Sequence, residues 1–277
     1  MAVIQIDKIA VTEADNAPPH QSLWQRNENF LLGLFSVTGF LLFWEFSVLS
    51  GWANPLFISS PSRIFNAAYE MFADGSIYPD LLVSAQEFAL GYGLAVIVGI
   101  PMGILMGWYT RLNALLDPFV NALYATPRIA LMPLIIIWFG VDLSAKIAII
   151  FLATVFPIIV NTMTGVRTME RDFVKVARSF GASDGQLFLT VALPSSVPNL
   201  LTGLRLGLGH ALVGIVVGEM YGASAGIGFM MQTAGATFQT DKVMVGIIII
   251  AAAGMALTGV LRMIESRFDV WRPDHHV

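Results

Sequence analysis

The segment SAKIAIIFLATVFPIIVNTMTGV, residues 144–166, decides the fold class, because it is long and apolar and carries a single charged residue, Lys146. A helix needs about 20 mostly apolar residues to cross a bilayer, so this segment predicts a transmembrane span. Five more runs of this kind occur at about residues 30–50, 82–108, 114–140, 197–221 and 243–264. Of the 277 residues, 56% are hydrophobic and only 12% are charged, against about 25% charged in a soluble domain. We therefore predict an all-α integral membrane protein with about six transmembrane helices.

The placement of Lys and Arg predicts the orientation, because cytoplasmic loops carry most of these residues. If the N-terminus is cytoplasmic, ten basic residues lie inside: Lys8, Arg26, Arg111, Arg167, Arg171, Lys175, Arg178, Arg262, Arg267 and Arg272. Three lie outside, at Arg63, Lys146 and Lys242. We therefore expect both termini in the cytoplasm, with an N-terminal tail at residues 1–29, a transmembrane domain at 30–268 and a C-terminal tail at 269–277. The polar start is not typical of a secretory signal.

Several classes of chemistry have no support in the sequence. No Lys follows a Gly, so the phosphate-binding G-x-x-x-x-G-K-[ST] motif is absent, and we expect no ATPase in this chain. Four His and no Cys provide no metal-ligand pattern in the usual spacings, and the terminal His275 and His276 are expected to be solvated. A net charge of −4 argues against nucleic-acid binding. We expect no catalytic residue, no metal and no cofactor in this chain.

Ionisable residues within the spans are the first candidates for function, because a charge in hydrocarbon by default faces a partner, a cavity or the bundle interior. Three of them are expected near the membrane interfaces by position: Glu45, Glu87 and Asp117. Arg205, His210 and Glu219 share one predicted helix. A rotation of about 100° per residue places Arg205 and His210 about 140° apart, so both cannot face one narrow path. Glu219, beside a Gly-rich segment, is the stronger candidate on this helix.

Prolines are expected to break two of the spans. Pro127 and Pro133 interrupt the third span and Pro157 the fourth, which is tolerable only where protein or water covers the freed carbonyls. A transported anion would favour Arg128 near the path, but Arg128 could equally pair with Asp117 or with a backbone carbonyl. We take Arg128, His210 and Glu219 as candidate residues of a translocation path lined by the third to fifth spans.

Two segments on the outer side carry local structural signals. Ser60-Pro61, followed by apolar residues at helical spacing, predicts a short amphipathic helix. The Gly-rich stretch at residues 222–228 predicts a break followed by a short helix that dips back. Glycines at spacing four, in the second and fifth spans, predict close helix contacts: Gly99, Gly103, Gly107, Gly203, Gly207, Gly214 and Gly218. These contacts lie either within one bundle or, for the fifth span, against a second copy of the chain.

The largest cytoplasmic connection, residues 167–196, predicts a bent pair of short helices. Residues 172–180 form an amphipathic helix, and Gly181 supplies the left-handed position at which helices commonly end. Ser183, with Gln186 three positions on, forms a capping box that starts a second helix, expected to end before Pro194. The result is a rigid elbow with an apolar face, suited to contact with a soluble partner.

The stretch KVARSFGASDGQLFLTVALP, residues 175–194, resembles the coupling loop of permease subunits of bacterial ATP-binding-cassette (ABC) importers. Its pattern is E-A-A, three residues, G, nine residues, I, one residue, L-P. Ala177, Gly181, Leu193 and Pro194 match, and Val191 replaces Ile. Lys175 stands at the position of the Glu, which reverses a charge, and Val176 replaces the first Ala.

The resemblance covers about residues 30–268. Three blocks and one further residue are similar to the branch that serves nitrate, sulfonate, taurine and bicarbonate: DPFVNALYATPRIALMPLIIIWFG (117–140), the following Lys146, LTGLRLGLG (201–209) and GEMYGASAGIGFMMQTAG (218–235). It implies a type I importer permease in the bacterial inner membrane, paired with a second copy, two ATPase subunits that bind ATP and Mg, and an external substrate-binding protein. It also implies ten coupling residues: Lys175, Val176, Ala177, Arg178, Phe180, Gly181, Ala182, Ser183, Leu193 and Pro194.

The expected function is therefore that of the channel-forming subunit of an ATP-driven importer of a small anionic solute. An ion-gradient-driven secondary transporter is the alternative from another class, since such proteins also use broken helices and membrane-embedded carboxylates. No inverted repeat is evident in the sequence, and the elbow has no role in that alternative. A vitamin precursor or an aromatic acid is the alternative substrate.

Overall fold

The computed structural model describes residues 23–169, 171–221 and 224–267, and every regular element in these ranges is helical. The all-α prediction is therefore confirmed. Most of the two predicted tails, with Lys8, Arg272, His275 and His276, lies outside the described residues. The described residues form two compact units, divided between residues 53 and 54. The first contains α1 (Leu23–Leu49), an apolar helix with exposed aromatic side chains such as Phe30 and Phe35.

Five helices in the described ranges are long and apolar enough to cross a membrane, and a bent helix pair makes a possible sixth span. Besides α1, the long elements are α3 (Ile77–Trp108), α6 (Leu143–Arg167), α9 (Leu193–Met220) with the short helices before it, and α11 (Thr240–Glu265). The predicted set of about six spans is thus confirmed.

The helix α6 is the centre of the second unit, because α3 packs along one side of it and α9 along another. The glycine faces make this contact possible. A Cβ atom added at Gly103 of α3 would lie 2.7 Å from the carbonyl oxygen of Ile159, and one at Gly203 of α9 would lie 2.9 Å from Cβ of Asn161. Both glycine faces are therefore covered by α6 of the same chain. The glycine contacts thus lie within one bundle, which is one of the two possibilities that the sequence left open.

The third span is a bent pair of helices. α4 (Thr110–Ala125) ends at Thr126 and Pro127, whose backbones are extended, and a 3₁₀ turn (Arg128–Leu131) leads into α5 (Met132–Phe139). The two halves meet at 94°. The break predicted at Pro127 is confirmed, whereas Pro133 lies in the first turn of α5, where a missing N–H costs nothing.

The interruption predicted at Pro157 is wrong, because α6 continues through this residue. α3 and α9 cover this part of α6, where Phe156, Pro157 and Ile158 are all buried. The cover provided by α3 and α9 therefore accommodates Pro157 without a break in α6.

Two short helices pack on the predicted outer side. α2 (Pro61–Ala73) begins with Pro61 directly after Ser60, as predicted, and buries Ile64 and Met71. The Ser60 hydroxyl lies 3.0 Å from the hydroxyl of Ser62 and makes no capping bond to the backbone. α10 (Ile227–Ala236) follows the Gly-rich segment and packs against α9 and α11. The short helix predicted after this segment is confirmed.

Candidate coupling loop and transmembrane path

The elbow consists of α7 (Arg171–Ser179) and α8 (Asp184–Leu187). Gly181 has φ of +78°, and the Ala182 N–H donates to the Ala177 carbonyl oxygen at 3.0 Å, which closes the end of α7. Gly is favoured here, because a Cβ makes the left-handed conformation costly. The bend at Gly181 is thus set locally.

The second helix starts with a complete capping box. The Gln186 N–H donates to Ser183 Oγ at 3.3 Å, and the Ser183 N–H donates to Gln186 Oε1 at 2.9 Å. α8 itself ends at Leu187, but the helical backbone does not stop before Pro194, so the predicted end of the helical segment is wrong. The helical segment continues through a π-helical turn (Phe188–Ala192) into α9, with Pro194 in the first turn of α9, where no N–H donor is needed. The elbow is therefore continuous with a membrane-spanning helix.

The elbow presents an apolar surface with charged residues beside it. Phe173, Val176 and Phe180 are 58%, 55% and 87% exposed. A shallow groove runs beside them and includes Ala177, Thr190, Val191, Pro194 and Ser195. Arg178 forms an ion pair with Asp184 of α8 and so braces the bend. Lys175, which replaces the family Glu, pairs with Asp172 of its own helix at 2.8 Å, and both side chains are largely exposed.

One aromatic contact joins the elbow to α3. The ring of Phe188 in the π turn meets Trp108, the last residue of α3, edge-on at 5.1 Å between ring centroids. Leu187 is buried beside it, while Leu193 is only partly buried. The elbow is therefore connected to α9 through the backbone and to α3 through this contact.

A cavity of about 170 Å³ lies between the break of the third span, α6 and α9. It brings together two of the three predicted path residues, Arg128 and His210. The remaining lining is apolar or backbone: Pro127, Ile129, Ile149, Ala153, Val213, Gly214 and Val217. The third to fifth spans thus each contribute to its wall.

The sequence left two partners open for Arg128, Asp117 and a backbone carbonyl, and in the structure the partner is a backbone carbonyl. Its Nη2 donates to the Tyr124 carbonyl oxygen at 3.0 Å, and the guanidinium carbon lies 5.3 Å from the centroid of the Tyr124 ring. Asp117 instead accepts a hydrogen bond from Asn121 Nδ2 at 2.8 Å. Arg128 Nε is buried without a hydrogen-bond partner in the described part of the chain.

Glu219 does not line this cavity, because its side chain is fully buried at the start of α10. Three consecutive backbone N–H groups at that helix start donate to side chains of α3 and α9. The bonds run from Gly226 to Asp80 Oδ1 at 2.8 Å, from Ile227 to Ser84 Oγ at 2.9 Å and from Gly228 to Glu219 Oε2 at 2.6 Å. Ser84 Oγ also donates to Glu219 Oε1 at 2.5 Å. Glu219 therefore fixes α10 in place.

A buried ion pair next to this network was missed from the sequence. Lys146 Nζ donates to Glu87 Oε1 at 2.7 Å, and the two residues are 8% and 1% exposed. The outer-loop position expected for Lys146 is wrong, because Lys146 lies in the first turn of α6, and Glu87, expected near a membrane interface, is buried against it. The available signal was the opposite charge of two residues on spans that pack together, since membrane-embedded charges pair.

Arg205 is also paired, with Glu265 at the end of α11. It lies apart from the Arg128 cavity, in keeping with the predicted separation of Arg205 and His210 around α9. Among the described residues, no group of three or more His, Asp or Glu side chains is placed to hold a metal ion.

In the described ranges, five to six apolar helices, an exposed elbow and an open cavity bordered by three of the spans are typical of a multi-pass membrane transport protein. The sequence of residues 99–270 matches the family described as "Binding-protein-dependent transport system inner membrane component". The chain belongs to this family, and its resemblance to an ABC importer permease is confirmed.

Similar proteins agree with this assignment. The chain is 32% identical over 253 residues to the taurine transport system permease protein TauC of Escherichia coli, covering 90% of this chain and 92% of that protein. It is 34% identical over 248 residues to the putative aliphatic sulfonates transport permease protein SsuC of Bacillus subtilis, covering 90% of each. A solved structure of the inward-facing MetNI methionine ABC transporter matches with a TM-score of 0.54 at 16% identity, over 69% of this chain and 98% of that chain. The fold of a type I importer permease is thus confirmed.

Proposed function

We propose that this chain forms the membrane path of an ATP-driven importer of small sulfonates, and that separate ATPase subunits drive it through the elbow. The exposed apolar face of the elbow carries this proposal. Phe173 and Val176 of α7, and Phe180 directly after this helix, have exposed apolar side chains with little cover from the described part of the chain. Such a patch, ringed by charge, is typical of a protein–protein contact.

The solute class is supported by the taurine and aliphatic sulfonate names of the relatives and by the cationic cavity. An external binding protein would deliver the solute, and a second copy of this chain would complete the path. The glycine faces give no support to the second copy, because α6 already covers them. Exposed apolar residues of the third span, such as Phe119 and Ile137, remain available for contact with that copy or with lipid.

The test is reconstitution of the permease in lipid vesicles with its cognate ATPase subunits and binding protein. We expect uptake of taurine or an alkanesulfonate that requires ATP and is lost in Phe180→Ala, because truncation of a large apolar anchor commonly weakens a protein contact about tenfold or more. Phe65→Ala is the matched control, since Phe65 is similarly exposed but lies on α2.

Two results would contradict the proposal. Accumulation without ATP but with an ion gradient would favour the secondary transporter. ATP-driven uptake of an uncharged vitamin precursor, with none of any sulfonate, would keep the importer and replace its substrate. Co-purification of the ATPase with wild type and Phe65→Ala, but not with Phe180→Ala, would assign the effect to docking.

A further inference from the structure

The cavity beside the break of the third span is lined by ionisable side chains, which helix packing alone does not require. One wall carries the Arg128 guanidinium and another the His210 imidazole, while no carboxylate is among the lining residues. An ionisable side chain within a membrane-spanning segment by default marks a functional site. A volume of about 170 Å³ is below the roughly 300–1,000 Å³ of pockets for drug-sized ligands, so it suits a small solute.

The guanidinium is positioned but not satisfied. Its single hydrogen bond within the described residues runs from Nη2 to the Tyr124 carbonyl oxygen, and the Tyr124 ring supports one face. Arg carries five N–H donors in a fixed fork that fits planar or tetrahedral oxyanions. Its Nε is buried without a partner. Since no carboxylate in the described ranges neutralises it, the group keeps both charge and donors for a ligand.

The helix α9 contributes the opposite wall. His210, Val213, Gly214 and Val217 lie at spacings of three, four and seven residues and so share one face of this helix. Gly214 also allows α9 to pack closely on α6 at this level. An imidazole offers at least one N–H donor whether it is neutral or charged. The apolar remainder of this face suits the short aliphatic part of an alkanesulfonate.

We propose that Arg128 and His210 bind the anionic sulfonate group of the solute within the membrane, so that they determine specificity inside the path itself. This inference rests on the proposed function. It differs from a purely structural role for Arg128, in which the residue would only hold the Tyr124 carbonyl at the break. A structural role predicts a general loss of assembly, whereas a binding role predicts a loss that depends on the charge of the solute.

The first test measures the amount of methanesulfonate or taurine taken up per ATP hydrolysed by the complete reconstituted complex. We expect this ratio to fall about tenfold or more in Arg128→Gln, by the loss of a charge-assisted hydrogen bond, and to recover partly in Arg128→Lys. Arg111→Gln is the matched control, because Arg111 is an exposed arginine of α4 that does not line the cavity. Wild-type ratios in Arg128→Gln would overturn the proposal.

A second pair of variants leaves Arg128 in place. Val213→Asp adds a carboxylate to the cavity wall, and Val213→Asn adds an amide of the same shape. Both variants lose the apolar contact of Val213, but we expect sulfonate uptake to fall about tenfold further in the Asp variant than in the Asn variant, because a fixed negative charge repels an anion or pairs with Arg128. Equal uptake in the two variants would contradict a charge-selective site.

A third measurement does not depend on transport. Methanesulfonate should raise the unfolding temperature of the purified wild-type protein and of Arg111→Gln, but not of Arg128→Gln, because a ligand stabilises only a protein that binds it. Methanesulfonamide, which is similar in size and uncharged, should shift none of them. Equal shifts in wild type and Arg128→Gln, or none in either, would overturn the site. Failure of the wild-type complex to accumulate sulfonate would instead refute the proposed function, and this measurement would still decide the site.

Discussion

The buried pair Lys146–Glu87 yields a quantitative prediction. The two charges are 2.7 Å apart, which corresponds to roughly 6 kcal/mol of attraction at an effective dielectric constant of about 20. Most of that attraction offsets the cost of burying the two charges. Lys146→Met leaves the Glu87 carboxylate buried without a cation, and removing one partner of such a pair costs about 3–5 kcal/mol. We expect the unfolding temperature in detergent to fall by roughly 6–20 °C, at about 2–4 °C per kcal/mol for a chain of this size.

The double variant Lys146→Met/Glu87→Leu separates the charge from the packing. Replacing a whole buried pair with apolar residues is often neutral or stabilising, so we expect it to recover most of the loss. Arg63→Met is the matched control, because the Arg63–Asp241 pair is similar in length, 3.0 Å, but more exposed, and such pairs contribute about 0.2–1 kcal/mol. If Lys146→Met were no more destabilising than Arg63→Met, or if the double variant were as unstable as the single one, the reasoning would fail.

Three further predictions follow from close contacts and helix ends. Gly181→Val should uncouple ATP hydrolysis from uptake, because a side chain at φ of +78° costs about 1–2 kcal/mol. Gly185→Val is its control, because a Cβ atom at Gly185 would have no neighbour within 4 Å. Gly103→Ala should lower the free energy of unfolding by about 1–3 kcal/mol through overpacking against α6, whereas Gly93→Ala, with no neighbour within 4 Å, should leave it nearly unchanged. Glu219→Ala should speed amide hydrogen exchange in α10 by about tenfold or more, since it removes a charge-assisted bond that holds the helix start; unchanged exchange would show that the other two bonds suffice.

The elbow could be predicted from the sequence because its signals are local. Gly181 ends one helix and the Ser183–Gln186 capping box starts the next, and both features depend on residues within a few positions of each other. The same holds for α2, which begins at a Ser-Pro pair. The apolar runs likewise predicted the long helices, since length and composition alone decide whether a segment can cross a bilayer.

Contacts between distant residues were the part that the sequence could not provide. Lys146 and Glu87 are 59 positions apart, and each alone resembles a charge near the membrane interface. Glu219 was predicted near the path because it is a carboxylate beside a Gly-rich break. In the structure the residues after that break donate a backbone hydrogen bond to this carboxylate, which is fully buried. The interruption predicted at Pro157 was wrong for a related reason, because the effect of a proline on a helix depends on which neighbouring helices cover it.

The packing also restricts where the transport motion can occur. At Gly103 and Gly203, α3 and α9 lie so close to α6 that even a methyl group would meet other atoms at under 3 Å. Close-packed interfaces of this kind have few alternative arrangements, so we infer that α3, α6 and α9 move as one body. The elbow is attached to that body through the π turn and through the contact between Trp108 and Phe188. Because this body resists internal sliding, we expect the path to open where the helical backbone becomes extended, at Thr126 and Pro127, directly before Arg128, whose side chain lines the cavity.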